Sequence, residues 1–302
     1  MTSTQTPVIS GDKLTRKNQR LQEDLEHRLN RWFQETSNKI GAAIKGKYKL
    51  KGFGKSDIGD DPEGTDLQTE LLVGGKKIPK IQSDLIRAIA LLSWNVIDWE
   101  GLAALFQPYL EDAAKEGVDV GVGQVQMVDS AKVQEAADRD AEEYAAKRSA
   151  ELAGMKRDVE GDLEPDDTAH WPLTDVMKRD LENSISQAVV EGWTAEQLAA
   201  VIEASYALSA ERATIIANTE ITNAQSGGTY SLWRKSGTVT LVRWVTSPLH
   251  PMEDECDGYE DQGVVPLGHE FAEGLFCPRA HPRCRCQLQV VDPNEVFDSM
   301  EP

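Results

Sequence analysis

Aromatic residues are scarce in this 302-residue chain, at 6% of positions. A hydrophobic content of 40% still suffices for a real core, which is therefore expected to be aliphatic and mostly helical. No long apolar run is present: the best candidate, Leu85 to Ile97, is interrupted by Arg87, Ser93 and Asn95 and is too short to span a bilayer. The first thirteen residues lack the hydrophobic segment of a secretory signal, which points to synthesis in the cytoplasm. Cysteine is limited to four residues, all in the final quarter. In a reducing compartment such a cluster more often binds metal than forms disulfides. Length permits one large domain or two of ordinary size, and no internal repeat is visible.

The net charge of −19 is unevenly placed. Residues 1–56 hold twelve Lys/Arg against five Asp/Glu, a net of +7, which leaves 20 against 46 beyond them, a net of −26. The acidic bulk repels nucleic acid, so any contact with DNA falls to the amino-terminal arm. Five of its lysines lie between Lys45 and Lys55 in a glycine-containing stretch. The plainer reading of that stretch is a solvated linker.

Hydrophobic spacing predicts the elements. Leu14, Leu21, Leu25, Leu29, Trp32, Phe33, Ile40 and Ile44 mark one face of a long docking helix from Lys13 to Ile44, followed by a loop over Lys45 to Asp66. Helices are expected from Ile81 to Trp94 and from Glu100 to Glu116, stopping at Gly117. The alanines and interleaved charges of Ser130 to Arg157 suit an exposed connecting helix with a thin apolar stripe. The acidic stretch Asp158 to Asp167 marks a boundary. Beyond it, one helix follows Thr174 and ends near Gly192; Thr194 with Gln197 makes a capping box for the next; Ser209 caps a third that runs to Ser236 with Gly237 at its end. Strands are expected over Thr238 to Thr246 and Gln287 to Val291. The chain thus reads as α+β and mostly α. It divides into a basic helix and loop (1–56), a helical region (57–128), a connecting helix with acidic linker (129–170), and a carboxy-terminal domain (171–302) whose small β part carries the cysteines.

Two constellations could carry chemistry. On the helix capped by Ser209, Arg212, Thr219 and Asn223 project within about 40° of one line, with Glu220 at its edge. Such a stripe suits a buried hydrogen-bond network; the alternative makes Glu220 a general base, but no second carboxylate or histidine stands at a defined spacing from it on that helix. The other constellation is Cys256, Cys277, His281, Cys284 and Cys286: five candidates for the four positions of a structural zinc ion. Reduced structural cysteines, or a Cys256–Cys277 disulfide, are the other readings. Arg283 and Arg285 flank the thiols and favour thiolates. The pair His269-Glu270 begins a metalloprotease-like motif but meets Glu273 where a second histidine is required, and His27, His170 and His250 are isolated.

The run Arg212-Ala213, Ile216 to Glu220, Asn223-Ala224, Gly228, Trp233, Gly237, Arg243-Trp244 and Ala280 to Cys286 resembles the bacteriophage Mu F-like head-morphogenesis domain, over roughly residues 171–291. The resemblance implies a minor head protein of a tailed phage, not an enzyme. Such a protein resides in the virion near the portal, partners the portal or major capsid protein, and in some cases influences DNA packaging or ejection, with the basic arm as the segment that could meet the genome. Glu253 stands where the family usually has the first cysteine of a Cys-x-x-Cys pair, and Cys277 where a non-cysteine is usual; a swap between those positions would keep four ligands. Two competing classes are a phage-delivered effector carrier, including ADP-ribosyltransferase fusions, and a cytoplasmic DNA-binding regulator. The first lacks an effector domain after residue 291, and the second is opposed by the net −26 of the main body.

Overall fold

The computed structural model describes residues 8–10, 15–44, 72–73, 76–77, 96–125, 130–169, 172–191, 193–247, 254–278, 280–281, 284 and 286–293. The expected loop over Lys45 to Asp66, the expected helix from Ile81 to Trp94, and His170, His250, Arg283 and Arg285 lie outside them.

The long amphipathic face of the amino-terminal segment forms α1 (Arg16–Ile44), which buries Leu25, Leu29, Phe33 and Ile40. Helix α2 (Trp99–Val122) starts at Asp98, whose carboxylate accepts the Gly101 N–H at 2.8 Å. It does not stop at Gly117 as the sequence suggested. Gly117 is a packing residue: a Cβ there would lie 2.0 Å from the Gln225 carbonyl oxygen, so its bare backbone lets two helices touch.

The partner in that contact is α6 (Ala210–Ser236), the longest helix of the carboxy-terminal half. Its ends follow the sequence closely. Ser209 accepts the Arg212 N–H at 3.2 Å, and Gly237 adopts φ 64° at the far end, a left-handed cap that favours glycine. Gly228 mirrors Gly117, since its Cβ would meet the Ala114 carbonyl oxygen at 2.0 Å, and Thr229 donates to the Gly117 carbonyl at 2.8 Å.

Helix α3 (Ser130–Leu152) differs from the exposed connector expected there. Ala137, Ala141, Ala145 and Ser149, spaced by four, are buried against α2 and α6. Methyl-sized side chains make a narrow stripe yet allow close backbone approach, and the remaining charges bridge the helices at the rim: Lys115 donates to Glu142 at 2.7 Å, and Ser231 to Asp140 at 2.6 Å. The acidic boundary falls on a hairpin of β4 (Met155–Arg157) and β5 (Leu163–Pro165), where Asp158 accepts the N–H groups of Glu160 and Asp162. The buried apolar cluster continues across it, from Leu25 in α1 through Leu152 to Ala224 in α6. Next come α4 (Leu173–Glu191) and α5 (Ala195–Glu203), the latter with the Thr194–Gln197 capping box fully made.

A four-stranded antiparallel sheet adjoins the far end of α6. Its order is β1 (Val8–Ser10), β8 (Gln287–Val291), β6 (Leu241–Val245), β7 (Val264–Pro266). A two-stranded ribbon of β2 (Leu72–Val73) and β3 (Lys76–Lys77) stands apart from it. Strand β8 matches its expected span, and β6 is shorter than the expected Thr238 to Thr246. Strand β1 was not anticipated: its three residues pair with β8, Ile9 opposite Leu288. Short helix α7 (Glu255–Glu260) sits between β6 and β7 in the chain. A second buried cluster joins Trp233 of α6 to Trp244, Phe271, Leu288 and the cysteines, so α6 contributes to both cores.

Candidate metal centre

The second core brings three cysteines together. Cys256 lies in the first turn of α7, fixed there by Asp254, which accepts the Cys256 N–H at 2.8 Å and shares a reciprocal capping box with Asp257. Cys284 and Cys286 lie at the entrance to β8, with the Cys284 N–H donating to the His281 carbonyl at 3.1 Å. The sulfurs of Cys256, Cys284 and Cys286 all fall within 4.8 Å of one another, and all three residues are buried. Cys256 Sγ is 3.7 Å from Cys284 Sγ and 3.4 Å from His281 Nε2. His281 Nε2 in turn lies 3.2 Å from Asp254 Oδ2.

Backbone groups also face these sulfurs. The N–H groups of Cys286 and Ala280 donate to Cys284, and that of Ser247 to Cys286. Three thiols so close cannot all ionise without a compensating cation, because like charges oppose one another. Hydrogen bonds from Cys256 and Cys286 hold Cys284 well below the ordinary thiol range, while the bond to Cys284 pushes Cys256 up. Around the cluster Trp244 packs edge-on against Tyr259 and Phe271, at 5.1 and 5.0 Å between ring centroids.

Cys277, the fifth candidate, is not brought to this group. It packs at the edge of the same core, near Tyr144 and Tyr230, where burial pushes its thiol up to about 12. Its place in the cysteine cluster had made it a candidate ligand, but its sulfur does not join the other three. Asp254 is the member that sequence reasoning missed. Its signal was a residue two before Cys256 with the chemistry of both a helix cap and a metal ligand, and the capping role hides the other.

The polar stripe on α6 is buried but is not one network. The Arg212 guanidinium donates to the carbonyls of Ala207 and, at 3.2 Å, Leu173, and lies 5.8 Å over the Phe33 ring. Burial pulls its pKa down to about 10. Thr219 returns its hydroxyl to the Ile215 carbonyl of its own helix at 2.7 Å. Glu220 pairs with Arg148 of α3, two parallel bonds at 2.9 and 2.8 Å. The Asn223 side-chain oxygen is buried without a protein partner. The separation has a helical cause: on a packed helix each residue of the stripe meets a different neighbouring element. With both oxygens of Glu220 engaged by Arg148, the general-base reading loses its free carboxylate.

The site is thus a thiol and imidazole knuckle fastening a small sheet and its loops beside a helical body. Residues 179–289 match the family described as Phage Mu protein F like protein, a segment running from within α4 to within β8 and containing all of α6 and the knuckle. The match covers under half of the chain and makes this segment similar to the Mu F-like phage proteins. No curated protein and no solved structure matches it significantly.

Proposed function

We propose that this chain is a minor head protein of a tailed phage, residing in the virion near the portal and acting in head assembly without catalysing a reaction. The observation that carries the reading is the extent of the family match. It covers the helix on which α1, α2 and α3 pack and the knuckle beside it, so the Mu F-like segment is the structural centre of the chain and not a detachable module. The engagement of Glu220 by Arg148 supports a structural reading of α6. No helix among the described residues is long and apolar enough to cross a membrane. Portal and major capsid proteins are the partners proposed, with the basic amino-terminal arm as the contacting segment and the packaged genome as its second possible target.

Mass spectrometry of purified virions is the test, and the chain is expected in them at low copy relative to the major capsid protein. Its absence from virions, with activity on a nucleotide or protein substrate in infected cells, would favour the effector class instead. For the arm, DNA retention by the full chain should be weak, independent of sequence and lost at moderate salt, and should disappear when Lys45, Lys47, Lys49, Lys51 and Lys55 are replaced by alanine in the otherwise intact chain. Equal retention by both chains, or by neither, would make the arm a protein-docking element.

A further inference from the structure

We propose that Cys256, Cys284 and Cys286 hold a zinc ion and that His281 Nε2, which already lies against Cys256, is its fourth, tetrahedral ligand. The spacing of the donor atoms supports it. Zinc–sulfur bonds of about 2.3 Å and zinc–nitrogen bonds of about 2.0 Å at tetrahedral angles place two sulfurs about 3.8 Å apart and a sulfur and a nitrogen about 3.5 Å apart. The corresponding separations here are 3.7 Å for Cys256 to Cys284 and 3.4 Å for Cys256 to His281; His281 groups with Cys256 and Asp254 and not with all three sulfurs, so the imidazole closes on the ion as it binds. Three sulfurs and an imidazole form a soft donor set that suits zinc and disfavours magnesium or calcium.

The surroundings match a thiolate–metal centre better than a cluster of free thiols. Backbone N–H groups of Ala280, Cys286 and Ser247 are directed at two of the sulfurs, the outer hydrogen bonds that orient metal ligands. A disulfide would use two of the three thiols and leave the third and the imidazole unexplained. Asp254 Oδ2 lies 3.2 Å from the same Nε2, a contact that gives way when zinc takes that nitrogen, while Oδ1 keeps the cap on the Cys256 N–H. Cys277 takes no part. The assignment stands apart from the head-assembly role: either could fail with the other intact.

The test uses the full-length chain, expressed in zinc-replete cells and purified under reductant. Elemental analysis should find about one zinc per chain, as a single four-ligand site requires, and a strong chelator should lower the melting temperature because metal binding is coupled to folding. Cobalt(II), titrated into the metal-free chain, should give tetrahedral d–d bands with intense thiolate charge transfer. Cys277→Ser should leave that spectrum and the stoichiometry unchanged, whereas Cys256→Ser, Cys284→Ser and Cys286→Ser should each reduce the charge-transfer intensity. Asp254→Asn should leave the cobalt spectrum unaltered, because the amide oxygen can keep the cap on the Cys256 N–H. Metal-free reduced wild-type protein would overturn the site, as would a Cys277→Ser chain that loses its metal. A changed cobalt spectrum in Asp254→Asn would make Asp254 a ligand and overturn the assigned set.

Discussion

Replacing Glu220 by alanine is expected to destabilise the chain by about 3–5 kcal/mol, the range for breaking one side of a buried ion pair. The side chains of Arg148 and Glu220 are 11% and 6% exposed, and once Glu220 is gone the guanidinium loses its two parallel bonds and keeps the longer 3.3 Å bond to Glu151. Burial alone would favour loss of the Arg148 proton; the carboxylate beside it overcomes that and holds the guanidinium firmly charged. The pair differs from a surface bridge such as Arg139 with Glu135, both largely exposed, whose loss should be nearly silent. Urea unfolding of Glu220→Ala, Arg148→Ala and the double variant measures this as a cycle. The double variant should be much less destabilised than the sum of the singles, since it strands no charge. If Glu220→Ala unfolded like the wild type yet abolished infectivity, the carboxylate would be a functional group after all.

Gly228→Ala should reverse the usual sign of a glycine replacement. In a helix interior alanine is ordinarily favoured over glycine by about 0.8–1.0 kcal/mol. Gly227 is the control, with nothing within 4 Å of an added Cβ, and Gly227→Ala should gain an increment of that order. At Gly228 the new carbon would stand 2.0 Å from the Ala114 carbonyl oxygen. Carbon and oxygen settle near about 3.3 Å even in close contact, so α2 and α6 must part by on the order of an ångström. Neither backbone can rotate away as a flexible side chain would, and a loss at or beyond the about 1–3 kcal/mol typical of overpacking is expected. Gly117→Ala should behave alike, because its Cβ meets the Gln225 carbonyl oxygen at the same 2.0 Å. Chemical denaturation followed by circular dichroism compares the three variants directly. Equal stability of Gly227→Ala and Gly228→Ala would refute the close approach.

These contrasts mark what could be read from sequence. Caps are local chemistry, and Ser209, Thr194 with Gln197, and Gly237 all perform the roles their positions suggested. The same holds for β8, whose span is bounded by the cysteine run before it and by Asp292 after it. Partners distant in sequence were not legible. Glu220 was grouped with Arg212 because both lie on one helix, whereas its actual partner, Arg148, is 72 positions away. Gly117 looked like a terminator for a related reason: a glycine that ends a helix and one that lets two helices touch are identical until the second helix is in place. The alanines of α3 gave the right helix and the wrong environment, since small residues are equally compatible with solvent and with a tight interface. At the cysteine cluster, clustering in the sequence identified the residues that converge but could not exclude Cys277, whose exclusion depends on the path of a loop.

The pairing of β1 with β8 bears on the order in which the molecule can be completed during synthesis. Strand β1 is made before α1, but its hydrogen-bonding partner, β8, only after α6 and the other strands of the sheet. The helices α1, α2, α3 and α6 can assemble around their shared core beforehand, while the centre of the sheet must wait, because β6 also pairs with β8. The entropy of closing so long a loop grows only logarithmically with length, so the delay has little effect on final stability. It does leave residues 8–10 without their partner strand until β8 has been made. Attachment of that strand to the sheet therefore follows synthesis of the knuckle that leads into β8, whereas α1 behind it can already be docked in the helical core.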